Sequence, residues 1–421
     1  MIDMAKKEEP VKKRDYVCPY CFTKVDINNI HYVCTGPTCA KTFASNALST
    51  RNEKDLMYVS KNGVNEIDRE KSLVYGKDPY GPDAVIAKQH IIRNSSGFCD
   101  ICRRPVYVRV CPTCHNMIPP GAEEEGNKIF VILGPKGVGK SHYIAVLIHQ
   151  LKNVISTEFH GVLNAANDST TIKYRDVYYH RLYEEKRKLQ PTLSFGSSAD
   201  AHEPLIFFLR ILNGDKPQVF TFAFFDTAGE DLVSTNRMMQ VNLNAFISLA
   251  SGIVYLVDPM QVKYINQRIH VDNKPNVGPN ATDILNNICQ IIRNNKKLKG
   301  KDKIDIPIAV SLTKSDVLMK IPENEEESKV LFGLGSALHI PREYGKYDAE
   351  NFAQIDAELE EYIRRTVGPE FLQLVRSFKD YSFFAVSALG CNPTGSTLPR
   401  GVSPQRVEDP FLWLLSREGL R

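Results

Sequence analysis

The chain has 421 residues, 43% hydrophobic and 24% charged, with a formal net charge of +4. That length holds two or three domains with a real hydrophobic core, and the composition is that of a globular protein, which excludes a disordered chain. The first 127 residues carry 18 Lys/Arg against 16 Asp/Glu, so they lack the basic excess of a nucleic-acid-gripping ribbon.

Residues 1–16 read as a charged, flexible tail without the apolar h-region of a signal peptide. The longest mainly apolar stretch, 245–257, falls short of the roughly 20 residues that span a bilayer. Neither end carries a lipidation signal, so a cytoplasmic protein with no membrane partner is expected.

Residues 17–120 form a ribbon-like region with eight of the ten cysteines. They fall in four close pairs: Cys18 and Cys21, Cys34 and Cys39, Cys99 and Cys102, Cys111 and Cys114. Short spacing lets two thiolates of one knuckle meet one metal, so two structural tetrahedral Zn2+ sites are expected. Sequential sites (18/21/34/39 and 99/102/111/114) are the simplest pairing, with an interleaved one as the alternative. Disulfides fit poorly in a cytosolic chain. His115 reads as a solvated neighbour of Cys114, with a ligand role as the alternative. Cys289 and Cys391 read as ordinary core or loop residues. The stretch 41–97 reads as a small β insertion, and 119–126 as a linker.

Residues 127–421 alternate strands and helices. The pattern predicts a strand at 128–133, a helix at 140–152, a variable segment at 153–203 and strands at 204–212 and 218–226. A helix at 235–250, a strand at 252–258, a helix at 280–298 and a strand at 306–312 follow. Helices within 350–378, a strand at 382–387 and a last helix at 409–418 complete it. Such alternation implies a mainly parallel sheet with helices on both faces. The turn Asn213-Gly-Asp-Lys216 makes one antiparallel hairpin within it.

Gly134-Pro-Lys-Gly-Val-Gly-Lys-Ser141 fits the phosphate loop G-x-x-x-x-G-K-[ST] between strand and helix. Gly134, Lys136, Gly137 and Gly139 lie in the loop, where backbone N–H groups can turn around phosphate at the positive end of a helix. Lys140 can reach the β- and γ-phosphates, and Ser141 can bind Mg2+. Asp226-Thr-Ala-Gly-Glu230 resembles the D-x-x-G pattern of GTPases. There Asp226 would hold Mg2+ through a water, and the Gly229 N–H would sense the γ-phosphate. Thr313-Lys-Ser-Asp316 resembles the guanine-reading motif. Asp316 would accept two hydrogen bonds from guanine that adenine cannot offer, and the Lys314 stem would cover the base. Ser387-Ala388 resembles the last guanine-contacting loop. The switch threonine that closes over Mg2+ is Thr170, Thr171 or Thr192, with Thr192 preferred because Gln190-Pro-Thr192 is loop-like. Arg175, Arg181 and Arg187 read as helix-surface arginines.

The four motifs in this order resemble a Ras-like P-loop GTPase using GTP/GDP and Mg2+. Together with the two cysteine clusters, the linker and the ending Asp409-Pro-Phe-Leu-Trp413, they resemble the bacterial zinc-ribbon TRAFAC-class GTPases of the double-GTPase type. The likeness runs from Cys18 to about Leu415. It implies a switch acting in multi-gene conflict or phage-defence systems, with an effector or activating protein, a second GTPase among the choices. Two positions depart from a Ras-like pattern. Glu230 stands where a water-orienting glutamine would, and ionised glutamate cannot donate a hydrogen bond. Lys136 stands where Ras-like proteins carry glycine, and it either stabilises phosphate charge or blocks an inserted arginine finger. Lys140, Glu230 and Thr192 are thus the expected catalytic set, with slow hydrolysis. The rival readings are a P-loop ATPase or kinase, and a zinc-ribbon nucleic-acid binder with a subordinate nucleotide site.

Overall fold

The structure, a computed structural model, describes residues 15–37, 39, 67–74, 78–80, 84, 90–93, 97–118, 128–155, 160–190, 204–213, 216–224, 244–269, 271, 280–320 and 336–419. It divides into two compact units, Met1–Asn127 and Lys128–Arg421.

In the first unit, β1 (Asp15–Val17) pairs antiparallel with β2 (Lys24–Asp26), and the turn between them carries Cys18 and Cys21. A second sheet sets β3 (His31–Cys34) between β4 (His90–Ile92) and β5 (Val108–Val110), both antiparallel to it. The expected β insertion needs correcting, because its described part includes a helix, α1 (Arg69–Val74). Asp68 starts that helix by accepting from the Lys71 N–H at 2.9 Å.

The second unit is a mixed α/β domain around a seven-stranded sheet. Its strands are β6 (Lys128–Leu133), β7 (Val162–Ala165), β8 (Leu205–Asn213), β9 (Lys216–Phe224), β10 (Gly252–Val257), β11 (Ile308–Leu312) and β12 (Tyr381–Ala385), in the order β12-β11-β10-β6-β9-β8-β7. Four neighbouring pairs are parallel. The β8–β9 hairpin closes with Asn213 opposite Lys216, as the turn predicts. Edge strand β7 adds a second antiparallel pair beyond the one expected. Strands β10 and β11 are buried at every position, which is why they read as continuous apolar runs.

Helix α2 (Lys140–Gln150) follows β6, and its residues Tyr143 to Ile148 are all buried. The variable segment holds β7, α3 (Asp168–Lys173) and a π-helical continuation, Tyr174–Glu184, that packs Tyr174 onto α2 by a hydrogen bond to Ala145 O. A short α4 (Lys263–Arg268) follows β10, and α5 (Ala281–Lys296) is a clean amphipathic helix, with Ile284, Leu285, Ile288, Cys289 and Ile292 turned inward. α6 (Ala349–Thr366) and α7 (Pro369–Val375) precede β12. The last helix, α8 (Asp409–Arg417), drives Phe411 against Phe222 with ring centroids 4.8 Å apart, and Trp413 is buried beside Phe384. Of the predicted helix at 235–250, residues 244–248 are helical, and 235–243 lie outside the described residues.

Candidate functional site

The phosphate loop connects β6 to α2. Gly134, Gly137 and Gly139 all adopt positive φ, at 156°, 75° and 93°. A Cβ on Gly134 would sit 2.7 Å from Leu256 O, so this position has no room for a side chain.

Every carbonyl of the loop is taken by a donor. Lys140 is buried, and its Nζ donates to Gly134 O at 2.9 Å and Pro135 O at 3.3 Å. Gln261 Nε2 donates to Lys136 O at 2.8 Å. Lys314 Nζ donates to Gly137 O at 3.1 Å, and Thr313 Oγ1 donates to Val138 O at 2.9 Å. The Tyr143 N–H takes Gly139 O at 2.9 Å as the helix begins. In a trans peptide the N–H points opposite the C=O, so, apart from the Gly134–Pro135 peptide, which has no N–H, each carbonyl held in this way turns the N–H of its peptide the other way. That is the cradle a phosphate chain needs.

Thr313, Lys314 and Asp316 come from the end of β11. Thr313 is buried and also donates to Val257 O at 3.2 Å. Lys314 adopts φ 51° and pairs with Asp258, whose side chain is fully buried. Burial pushes the Asp258 carboxyl up, and the Lys314 ammonium partly offsets that. Ser387 Oγ donates to Asp316 Oδ1 at 2.6 Å. The Ser387 N–H is committed to Gln405 O at 2.9 Å, whereas the Ala388 N–H makes no hydrogen bond among the described residues.

One cavity of about 810 Å3 is walled by Gly137, Gly139, Lys314, Asp316, Ser387 and Ala388. The structure thus brings the phosphate loop, the guanine-reading motif and the last loop together around one space. Ser141 stands half-buried on the first turn of α2, and Lys136 is exposed. Thr192, Asp226, Gly229 and Glu230 lie outside the described residues. The donor set fits a guanine nucleotide: a backbone cradle and Lys140 for the phosphates, with Asp316 and the Ala388 N–H for the base. Ser141 would supply one ligand to Mg2+, which neutralises phosphate charge when bound.

Two alternative switch threonines are otherwise engaged. Thr170 is buried, and its Oγ1 accepts from the Ile206 N–H at 3.4 Å. Thr171 Oγ1 donates to Asn167 O at 3.2 Å. Arg175 pairs with its neighbour Asp176, and Arg181 Nε donates to Lys188 O.

Sequence reasoning missed Asp258, Gln261 and His142. An acidic residue at the carboxyl end of a buried parallel strand was the available signal for Asp258. His142 lines the cavity, and its Nε2 accepts from the Leu189 N–H at 3.1 Å. Burial, with Lys314 and Lys188 nearby, pulls its pKa down to about 4, so the ring is neutral and that acceptor is kept. Cys391 also lines the cavity, while Cys289 lies buried in α5.

In the first unit the cysteines form two quartets, Cys18/Cys21/Cys111/Cys114 and Cys34/Cys39/Cys99/Cys102. The sequential pairing is therefore overturned: the outer pairs join each other around the inner ones. Three knuckles share one geometry. The first cysteine's carbonyl accepts from the N–H four residues on, at Phe22, Arg103 and His115, and each of those residues has positive φ. Sγ separations across the quartets are 3.5, 3.7, 3.4 and 3.8 Å. Four thiolates at about 2.3 Å from a tetrahedral Zn2+ sit about 3.8 Å apart, against about 2.05 Å for a disulfide, so both quartets fit zinc. The Arg104 N–H draws the Cys102 thiol down to about 7, toward the ligating thiolate. His115 is not a solvated neighbour. Its side chain is 7% exposed, and Nδ1 lies 2.8 Å from Asp68 Oδ2.

Residues 128–384 match the double-GTPase 2 family. The chain is also 28% identical over 325 residues to a Mycolicibacterium smegmatis protein described as the putative ESX-1 scaffolding and assembly protein SaeC, covering 74% of this chain and 80% of that one. Among solved structures, the signal recognition particle receptor SRb-GTP/SRX complex from Chaetomium thermophilum aligns at 11% identity and a TM-score of 0.28, over 64% of this chain and 94% of that one. The Arl6 BBS3 small GTPase from Trypanosoma brucei, with bound GppNp, aligns at 12% identity and a TM-score of 0.27, over 70% and 98%. The family match takes in more than half of the chain, from β6 through the phosphate loop and Thr313–Asp316 to β12, and the chain belongs to the double-GTPase 2 family.

Proposed function

We propose that the chain is a bacterial GTP-binding regulatory switch with slow GTP hydrolysis, whose nucleotide state is read by partner proteins. The observation that carries this reading is the shared cavity, with the phosphate loop at one wall and Asp316 beside Ser387 at another. Gly134 to Gly139 and Lys140 hold the phosphates. Ser141, Thr192 and, through water, Asp226 hold Mg2+, and Gly229 senses the γ-phosphate. Thr313 and Lys314 brace the loop, Asp316 reads guanine, and Ser387 and Ala388 complete the base site. An acceptor-only carboxylate facing the base disfavours adenine, which weighs against a P-loop ATPase.

In this reading, GTP orders the switch segments and so reshapes a protein-binding surface. The two zinc quartets are structural. The M. smegmatis relative is described as a scaffolding and assembly protein, which supports protein partners over nucleic acid. The partner is an effector, an activating protein or a second GTPase, encoded with this chain in a multi-gene system of the conflict or defence kind. A cytoplasmic location belongs to the same proposal. No helix among the described residues is long and apolar enough to cross a membrane.

Competition against a fluorescent guanine nucleotide with Mg2+ present tests the reading. GTP and GDP should displace the probe, and ATP at tenfold excess should not. Displacement by ATP at matching concentrations would return the site to the ATPase class.

A further inference from the structure

Gln261 lies outside every recognised motif, yet it holds the outermost peptide of the phosphate loop. It sits on the short turn Pro259–Gln261 after β10, and that turn is set by Asp258, whose Oδ1 accepts from the Met260 N–H at 2.9 Å. From there Gln261 Nε2 reaches Lys136 O at 2.8 Å. The other carboxylate oxygen of Asp258 holds Lys314, which takes the next carbonyl, Gly137 O. One buried carboxylate therefore presents both donors that fix two successive loop peptides. Gly137 suits this place by its backbone, since its φ of 75° is one that side chains rarely adopt, while a Cβ there would meet Gln261 Nε2 only at about contact distance, 3.4 Å.

We propose that Gln261 is a positioning residue for phosphate binding: by holding Lys136 O it orients the Gly137 N–H toward the β-phosphate end of a bound guanine nucleotide. The assignment rests on the guanine-nucleotide reading above. The mechanism is geometric. The Lys136 carbonyl and the Gly137 N–H belong to one planar peptide, so fixing one fixes the other. Without Gln261, the Lys136 carbonyl loses the donor that Nε2 supplies at 2.8 Å, and the Gly137 N–H on the same peptide is held less firmly. A preorganised donor binds phosphate better than one that must first be ordered.

The test compares GDP, which reaches this peptide, with GMP, which lacks the β-phosphate. Both are measured on the full chain by displacement of a fluorescent guanine nucleotide. Gln261→Ala should weaken GDP binding about tenfold and leave GMP within twofold of wild type, the size expected for one lost orienting hydrogen bond. Gln261→Glu places an acceptor against Lys136 O and should weaken GDP at least as much. GDP affinity unchanged in both variants would overturn the proposal. So would an equal loss for GMP and GDP, which would mark a general structural role. A wild-type chain that bound neither nucleotide would instead overturn the guanine reading itself.

Discussion

At the residue scale, the site turns on a few charged groups. Asp316 shares one oxygen with Ser387 Oγ, and its other oxygen makes no hydrogen bond among the described residues. Asp316→Ala removes two charge-assisted bonds to guanine and should cost about 2–4 kcal/mol of GTP affinity. Calorimetric titration measures this, and an unchanged affinity would remove Asp316 from the base site. In the proposed switch, turnover would depend on residue 230. Without a water-orienting glutamine, and without an arginine worth about 10³–10⁵ in rate, single-turnover hydrolysis should stay below about 0.1 per second. Lys140→Ala should abolish nucleotide binding. Glu230→Gln should bind normally and hydrolyse no more slowly. A fast wild-type rate destroyed by Glu230→Ala would make Glu230 itself catalytic. The phosphate loop and Asp316 were legible because their spacing is dictated by a ligand of fixed shape. Gln261 was not, because it donates to a carbonyl of a loop more than a hundred residues away in sequence, and the role of Asp258 was not, because it acts on that loop only through Gln261 and Lys314.

At the element scale, the strands of the second unit were readable from buried apolar runs, and α5 and α6 from their 3.6-residue period. The helix over 174–184 was not. Its buried residues, Tyr174, Tyr178 and Leu182, recur every four positions, which suits the wider π-helical turn and blurs the usual period. Strand β7 escaped because four edge residues, alternately exposed and half-buried, are too few to stand out as a pattern. The start of α8 carries a buried ion cluster: Arg342 pairs with Glu408 at 2.6 Å and with Asp409 at 2.9 Å, and Arg406 pairs with Asp409 at 2.8 Å. Burial pushes the Asp409 carboxyl up to about 6; Glu408 adds to this, while Arg342 and Arg406 oppose it. The folded state then keeps a proton between about pH 4 and 6 that the unfolded chain has released, so this group's contribution falls as pH rises through that window. Asp409→Asn cannot titrate and should flatten the difference in thermal stability between pH 4.5 and 6.5, by at most about 3 kcal/mol. Identical slopes for wild type and variant would show that Asp409 ionises as an ordinary surface carboxylate.

At the scale of the whole molecule, the second unit has an apolar core around the seven-stranded sheet, while the first unit has strands only three or four residues long and two cysteine quartets that would be tied together by zinc. The protein purified without chelator should carry about two zinc ions per chain. Cys111→Ser breaks the outer quartet alone, so about one zinc should remain, held by Cys34, Cys39, Cys99 and Cys102. Elemental analysis of the double variant Cys18→Ser/Cys111→Ser distinguishes this from sequential pairing: both cysteines belong to the outer quartet, so about one zinc should remain, whereas under sequential pairing each site would lose a ligand and both ions would be lost. Knuckle spacing was legible because two thiolates of one turn must reach one ion. Knuckle partnership was not, because sheet pairing decides it: β3 lies between β4 and β5 and so carries Cys34 toward Cys102.

The nested quartets also impose an order on biosynthesis. As the chain leaves the ribosome, Cys18, Cys21, Cys34 and Cys39 emerge with no completed set to join. The inner quartet becomes possible once Cys102 is out, and the outer one only after Cys114. The inner site closes a stretch of 60 to 68 residues, which shortens the loop the outer site must then close across 90 to 96. Nascent chains released short of residue 111 should therefore hold one zinc, and the second should load only as the chain extends toward the phosphate loop.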